Sequence, residues 1–418
     1  MSRGPRRLLT DVRPLRASVD YRRLWIGTTV SQLGQQMTAV TIAIQVYALT
    51  HSTFAVGLVG LFALGPLIGF GLYGGAFADA FDRRKVALIS SAGLWTLSLV
   101  LCAQAAAHLD AVWVLYTVVA LQSGFFAVNN PTRSAIIPRL IDEDLLPAAN
   151  ALNMASFNLG FTVGPLLGAF AIGAGGYGFA YAIDAVTFTA ALYALVRLPP
   201  IPPQPLEGSA PTRPGLRSVI EGLRFLRGAP NVRMTFIVDL CAMVLAQPRA
   251  LFPAVAGSFF GGGVRTVGLL QAAPAIGSLI AFTFSGWVSK VRLQGRAVVI
   301  AVIVYGGAVA VFGFARALWL GVLFLALSGA ADMISAAYRS TILQAAAPDN
   351  LRGRLQGVFT VVVAGGPRMG DFVAGTTAAL LTPTIALAAG GMACVAGVLI
   401  ASAREPGFLA YDGANPTP

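Results

Sequence analysis

An all-α polytopic membrane protein, with twelve transmembrane helices in two pseudo-symmetric six-helix halves, is the fold this sequence predicts, on three observations. Of 418 residues, 56% are hydrophobic and only 11% charged, and mean hydropathy is +0.74. A soluble domain carries about 25% charged residues, so too few charges exist to cover a water-facing surface. Apolar runs of about 20 residues, the length that crosses a bilayer, recur twelve times along the chain. Positive charge collects in alternate loops, as in a chain threaded back and forth through a membrane. The 47 glycines follow no collagen period and suit close helix packing in lipid.

Each span is read as an apolar run between polar breaks. A tail, 1–23, holds seven arginines and no apolar core, so the first span, 24–50, is expected to act as the insertion signal itself. The second span, 54–78, ends at Asp79 and the charged run Asp82-Arg83-Arg84-Lys85. The third, 86–108, begins beyond that run, and the fourth covers 111–130. A polar loop leads to the fifth, 146–173, and the sixth, 175–196, follows almost without a connection. The stretch 197–230 then divides the chain nearly in half. Its start, Pro199-Pro200-Ile201-Pro202-Pro203, is an extended spacer. Beyond it, Leu216, Val219, Ile220, Leu223 and Leu226 recur at helical spacing, with Arg217, Arg224 and Arg227 on the other flank. That pattern fits either a helix lying on an anionic leaflet or a basic solvated connector. The second half repeats the design with spans at 231–260, 264–288, 296–315, 317–341, 352–381 and 383–403, before a tail at 404–418.

Nearly all of the 29 Lys and Arg residues fall on one side of this threading. They occupy the N-terminal tail, the 2–3 and 4–5 loops, the central linker, the 8–9 loop and the 10–11 region with Arg339, Arg352 and Arg354. The other side holds only Arg265 and Arg316, while Arg249 and Arg368 lie within spans. Both termini are therefore expected on the cytoplasmic face of the inner membrane, which requires an even span count. The formal charge of +12 becomes loop bias rather than a nucleic-acid surface, since it lines no single soluble face. Cys102, Cys241 and Cys394 sit in separate apolar runs without metal or disulfide spacing.

The two halves share an internal repeat. Ser123-Gly124 and Arg133-Ser134 recur as Ser328-Gly329 and Arg339-Ser340. Asp144-Leu145 aligns with Asn350-Leu351, and Gly160 and Gly164 with Gly366 and Gly370. Earlier in each half, Gly57 and Gly75 match Gly268 and Gly286. Two related halves imply a cavity between them that opens alternately to each side.

Two motifs carry mechanism. In the 2–3 loop, Gly75 precedes Asp79 by one turn, so a neighbouring helix can approach where the carboxylate leaves the membrane. Asp79 with Asp82, Arg83 and Arg84 then forms a charged latch of individually weak ion pairs. In the fifth span, Gly160-Phe-Thr-Val-Gly164-Pro165-Leu-Leu-Gly168-Ala169 gives a flat helix face with a bend at the proline.

These motifs resemble signatures of the major facilitator superfamily. Gly75, Asp79, Arg83 and Arg84 match the loop signature Gly-x-x-x-Asp-Arg/Lys-x-Gly-Arg-Arg/Lys, from which Ala80 and Asp82 depart. The fifth span is similar to the antiporter motif Gly-x-x-x-Gly-Pro-x-x-Gly-Gly, with Ala169 for the last glycine. Ser31 to Thr38, Gln45-Val-Tyr47, Thr53 to Gly57 and Gln247-Pro248-Arg249-Ala-Leu-Phe-Pro253 resemble the enterobactin-exporter-like branch. The resemblance implies the major facilitator fold and a secondary exporter of siderophores or amphipathic drugs. A proton gradient would then be the driving force, with no cofactor, and a monomer in the lipid bilayer would be the acting form. Many members of the drug-exporting branches carry an arginine within the fourth span, whereas here Arg133 stands at its end.

Ionisable residues at membrane depth default to functional roles. Asp184, Asp239, Asp332 and Asp371 are the carboxylate candidates for proton coupling, with Asp239 first. It lies ten residues from Arg249, too far to pair along the helix. Arg368 and Asp371 are three residues apart and are expected to neutralise each other locally. Candidates for the wall of a substrate cavity are Gln32, Gln36, Gln122, Phe126, Asn129, Asn153, Gln247 and Tyr338. Mixed aromatic and amide linings suit an amphipathic small molecule, although some of these groups are expected to serve only as interhelical glue. No catalytic triad, metal-ligand cluster or phosphate-binding loop is present, so an enzyme or an ATP-driven pump is not indicated. A facilitator or importer, and a non-transporting receptor or scaffold, remain the alternatives.

Overall fold

The computed structural model describes residues 11–202, 224–346 and 349–413, with backbone only for 72–80, 287, 289–290 and 349–361. The first four helices are α1 (Val19–Thr50), α2 (Thr53–Ala80), α3 (Arg83–Ala106) and α4 (Val112–Ile136). A helical run, Leu146–Arg197, is folded at Gly175 and Gly176 into two limbs, α5 and α6. Gly176 has φ 75°, a backbone region that glycine enters at no steric cost. Span α7 covers Pro230–Phe260. It is followed by α8 (Val264–Thr283), α9 (Gln294–Phe312), α10 (Leu318–Ala346), α11 (Asp349–Leu380) and α12 (Pro383–Arg404). Among the described residues, nine stretches are long and apolar enough to cross a membrane, one of them holding both α5 and α6. The more polar α1 and α11 have 32 residues each, against about 20 needed to span. The architecture is consistent with the twelve spans expected.

Several spans depart from their predicted limits, among them α10, which runs five residues past Thr341 to Ala346. Helix α4 was expected to stop at Asn130 but continues to Ile136 through Pro131, as membrane helices do where neighbours satisfy the freed carbonyl. Helix α8 ends at Thr283, five residues early, and Ser285–Lys290 form a 3₁₀ turn instead. Span α7 is not one helix. An α-helix, Pro230–Leu240, passes into a π turn at Cys241–Leu245, then a 3₁₀ turn at Arg249–Leu251, before Phe252–Phe260 resumes. Pro248 and Pro253 lack the N–H groups a continuous helix would use there. The amphipathic pattern of the linker lies mostly outside the described residues, which resume at Arg224.

Within the first half, α1 lies along α5 and α6, α2 along α4, and α3 along α4 and α6. In the second, α8 lies along α10, and α9 along α10 and α12. The halves meet where α2 packs on α11 and α5 on α8.

The sequence repeat is the symmetry of this bundle. A Cβ on Gly57 would meet the Asp371 carbonyl of α11 at 2.9 Å, and one on Gly268 the Pro165 carbonyl of α5 at 3.1 Å. The matched glycines thus occupy the two seams between the halves. Gly124 lies against Pro66 and Phe70 of α2, and Gly329 against Pro274 of α8. Gly160 and Gly164 face Gln32 and Gln36 of α1, while Gly366 and Gly370 face Met243 and Gln247 of α7. Glycine at these positions lets backbones approach closely, which supplies packing where lipid offers no hydrophobic drive.

The bundle is shut at the end away from the termini. There the Thr53 hydroxyl donates to the Gly375 carbonyl at 3.0 Å, and the Phe54 and Phe372 rings lie 6.1 Å apart. One turn deeper, a Cβ on Gly60 would lie 3.0 Å from the Asp371 Cβ. Further along α2, Leu64 still meets Gly365 of α11, whereas Gly65 and Gly69 are exposed and a Cβ there meets nothing within 4 Å.

Candidate functional site

Behind the closed end, the second half concentrates charge. Asp239 of α7 forms an ion pair with Arg339 of α10, their side chains only 6% and 5% exposed. The other Arg339 terminus reaches Asp332, two turns earlier on α10, at 3.5 Å. The Asp332 side chain is 38% exposed, so the chain of charges runs from a sealed carboxylate to an accessible one. Among the described residues, Asp239 Oδ2 has no hydrogen-bond partner. Two carboxylates therefore share one guanidinium, and one can be neutralised by a proton without stranding the arginine.

The sequence reading places Arg339 along the tenth span and also counts it with the cytoplasmic charges, but does not pair it with a carboxylate. Helix α10 runs to Ala346, which places Arg339 about two turns inside it. Two signals were available: its spacing of seven from Asp332, which puts both on one face, and its match to Arg133 in the repeat. That match is structural. Arg133 donates to the Thr28 hydroxyl of α1 and the Ser91 hydroxyl of α3, both at 3.0 Å. Thr28 and Asp239 stand at equivalent places in the first helix of each half. Each half thus turns an α4 or α10 arginine onto its first helix, but only the second half answers it with carboxylates.

Asp371 of α11 lies in the α2–α11 seam. The local pair with Arg368 is not formed at contact distance: among the described residues, no N···O separation between them falls within 4.0 Å. Arg249 and Arg368 are the charges acting on Asp371, and the Ala250 backbone N–H faces it. Asp371 Oδ1 is buried without a hydrogen-bond partner. Ala250 itself packs into the core of the first half with Ile42, Val46 and Ala55, so the broken segment of α7 touches both halves.

Asp184 of α6 is set apart from these. It is 0% exposed and accepts hydrogen bonds from Thr38 of α1 at 2.8 Å and Ser98 of α3 at 2.7 Å. No cation lies within ion-pair distance of it among the described residues. It ties three helices at the back of the first half.

In the 2–3 loop, Asp82 is a helix cap, accepting from the backbone N–H groups of Arg84 at 2.9 Å and Lys85 at 3.4 Å. The arginines bind carbonyls at helix ends: Arg83 that of Ala135, and Arg84 those of Leu195 and Val196. Cations at helix C-termini are favourable partners for the dipole. Gly75 and the Asp79 side chain lie outside the described side chains. In α5, Gly164 and Gly168 bring the antiporter motif against Gln36 and Met37 of α1, and the Pro165 carbonyl points at Gly268 across the seam.

The expected cavity wall divides. Asn129 is buried and donates to Ser91 at 2.8 Å. Tyr338 is buried and donates to the Val288 carbonyl at 3.0 Å. Gln247 is buried against Gly370. Asn129 and Tyr338 thus spend polar atoms on neighbouring helices, as interhelical glue does. Gln32, Gln36, Gln122, Phe126 and Asn153 are half-buried and stay available to a cavity.

Comparison with known proteins bears on the fold and the family. The chain is 27% identical over 394 residues, 94% of its length and 93% of the relative's, to the enterobactin exporter EntS of Shigella boydii. It is 28% identical over 389 residues, 93% of its length and 92% of the relative's, to that of Citrobacter koseri. The POT family transporter PepTSo superposes with a TM-score of 0.75 at 12% identity, covering 94% of this chain and 99% of its own. A family model, transmembrane secretion effector, matches residues 9–408. The chain belongs to this transmembrane secretion effector family of major facilitator transporters.

Proposed function

We propose that this protein is a proton-coupled exporter of an amphipathic small molecule, working by alternating access in the inner membrane with both termini cytoplasmic. The observation that carries this is the Asp239–Arg339–Asp332 chain, in which two carboxylates share one arginine and only the outer one is accessible. A proton arriving at Asp332 leaves Arg339 wholly to Asp239; its departure restores the shared state. Each state favours a different hold of α10 on α7, and population shift follows from that difference alone. Two pseudo-symmetric seams between the halves at one end support the alternating half of the reading. The relatives' name makes a siderophore the first cargo to try.

Everted vesicles energised to an acid interior test it. Accumulation of enterobactin that an uncoupler abolishes supports export against protons. Asp239→Asn should remove the gradient dependence while leaving exchange of cargo across the membrane. Equal uptake with and without the gradient in the wild type would overturn the coupling and leave a facilitator.

A further inference from the structure

We propose that Arg249, Phe161 and Phe157 form a subsite for a planar aromatic anion in the cleft between the two halves. Arg249 sits on the 3₁₀ turn of α7, with its guanidinium carbon 5.6 Å from the centroid of the Phe161 ring on α5. The two groups come from opposite halves, so whatever binds them spans the cleft. Among the described residues the Arg249 side chain makes no hydrogen bond and no ion pair within 4.0 Å. Asp332 and Asp371 act on it from longer range, yet neither takes its N–H groups.

An arginine at membrane depth with its donor fork unused is costly unless something periodically fills it. Two other arginines at this depth are spent, whereas Arg368, like Arg249, makes no ion pair within 4.0 Å among the described residues. Arg339 holds carboxylates and Arg133 holds hydroxyls. Arg249 instead presents a flat cation that is only partly buried. Its planar fork matches a carboxylate or a pair of phenolate oxygens in two-point contact.

The aromatic half of the subsite lies one turn along α5. The Phe157 and Phe161 rings are 4.6 Å apart at 39°, and Phe157 is 45% exposed. Residues four apart share a helix face, so both rings border the same space. A ligand ring stacked on Phe157 would bring an anionic substituent under Arg249, whose other face already rests on Phe161. Aromatic stacking and the guanidinium then act on one molecule together. A cationic aromatic meets repulsion there, and a non-aromatic anion forgoes the rings.

This inference rests on the exporter reading only for what it says of cargo, because binding needs no gradient. The test is equilibrium binding of radiolabelled salicylate to the purified full-length protein in nanodiscs. Saturable binding is expected, displaced by unlabelled salicylate but not by acetate, benzyl alcohol or benzamidine at equal concentration. Arg249→Gln should weaken it on the order of tenfold or more, as loss of a charge-assisted pair does. Arg249→Lys keeps the charge without the fork and should fall between. If Arg249→Gln does not fold, Phe157→Leu with Phe161→Leu carries the test and should weaken binding several-fold. No binding to the wild type, unchanged binding in these variants, or equal competition by benzamidine would each overturn the subsite. Asp239→Asn should bind salicylate normally even where it abolishes coupling, so the two readings fail separately.

Discussion

Arg339→Gln is the perturbation whose consequence the geometry defines best. The substitution removes the one guanidinium shared by Asp239 and Asp332 and leaves the Asp239 carboxylate, 6% exposed, without a counter-charge. Breaking a buried pair from one side costs about 3–5 kcal/mol, chiefly because the remaining charge stays desolvated. Asp332, at 38% exposure, retains water and should add little. The defect should therefore sit almost wholly with Asp239. Asp239→Asn in the Arg339→Gln background removes that charge and should recover most of the loss. Equilibrium unfolding in mixed micelles of the wild type, both single variants and the double variant closes the cycle. The expected coupling is about 2–3 kcal/mol in favour of the double variant, within the range for directly contacting residues. Additive losses, or a single-variant cost below about 1 kcal/mol, as for an exposed pair, would refute the view that this pair is sealed and mutually dependent.

Three further outcomes follow from the packing. Gly57→Leu forces a side chain against backbone of α11, where even a Cβ would stand 2.9 Å from the Asp371 carbonyl. It should open the seam, read as loss of disulfide formation between cysteines placed at Phe54 and Phe372, whose rings are 6.1 Å apart. Asp184→Asn keeps an acceptor for Thr38 and Ser98 and should retain folding. Asp184→Leu leaves the Thr38 hydroxyl unpaired, while Ser98 keeps the Leu94 carbonyl at 3.2 Å, and should cost about 1–3 kcal/mol in the same unfolding assay. Asp82→Ala removes the cap of α3 and should cost about 1 kcal/mol, whereas Asp82→Asn should be near neutral.

Much of the fold was legible because membrane helices announce themselves by length and apolar composition, and the repeat located their contacts. Gly57 with Gly268, and Gly160 and Gly164 with Gly366 and Gly370, were matched before any coordinate, and each pair proved to lie at an equivalent helix crossing. The limits of α4 and α8 were less legible. A proline inside a membrane helix reads as a stop although packing can carry the helix through it, as at Pro131. The broken course of α7 was partly written in Pro248 and Pro253, but the π turn before them has no local signature.

The site was legible only as a list of candidates. Which carboxylate meets which arginine depends on partners from different helices, as Asp239 and Arg339 show at a separation of 100 residues. Loop charge and buried charge look alike in sequence, and Arg339, two residues from the predicted end of its span, proves to lie well inside α10. Arg368 and Asp371 share a helix face, yet the Asp371 carboxylate faces the broken turn of α7 at Ala250. Amide and phenol groups at Asn129 and Tyr338 resembled a cavity lining because hydrogen bonds to neighbouring helices cannot be seen along one chain.

Efflux of cargo in exchange for protons through the Asp239–Arg339–Asp332 chain is the proposal to be tested. The most direct measurement is enterobactin accumulation in everted vesicles carrying the wild type or Asp239→Asn, with an acid interior imposed or collapsed. The account predicts gradient-driven accumulation in the wild type and gradient-independent equilibration in Asp239→Asn. Accumulation in the variant that still rises and falls with the gradient would contradict it.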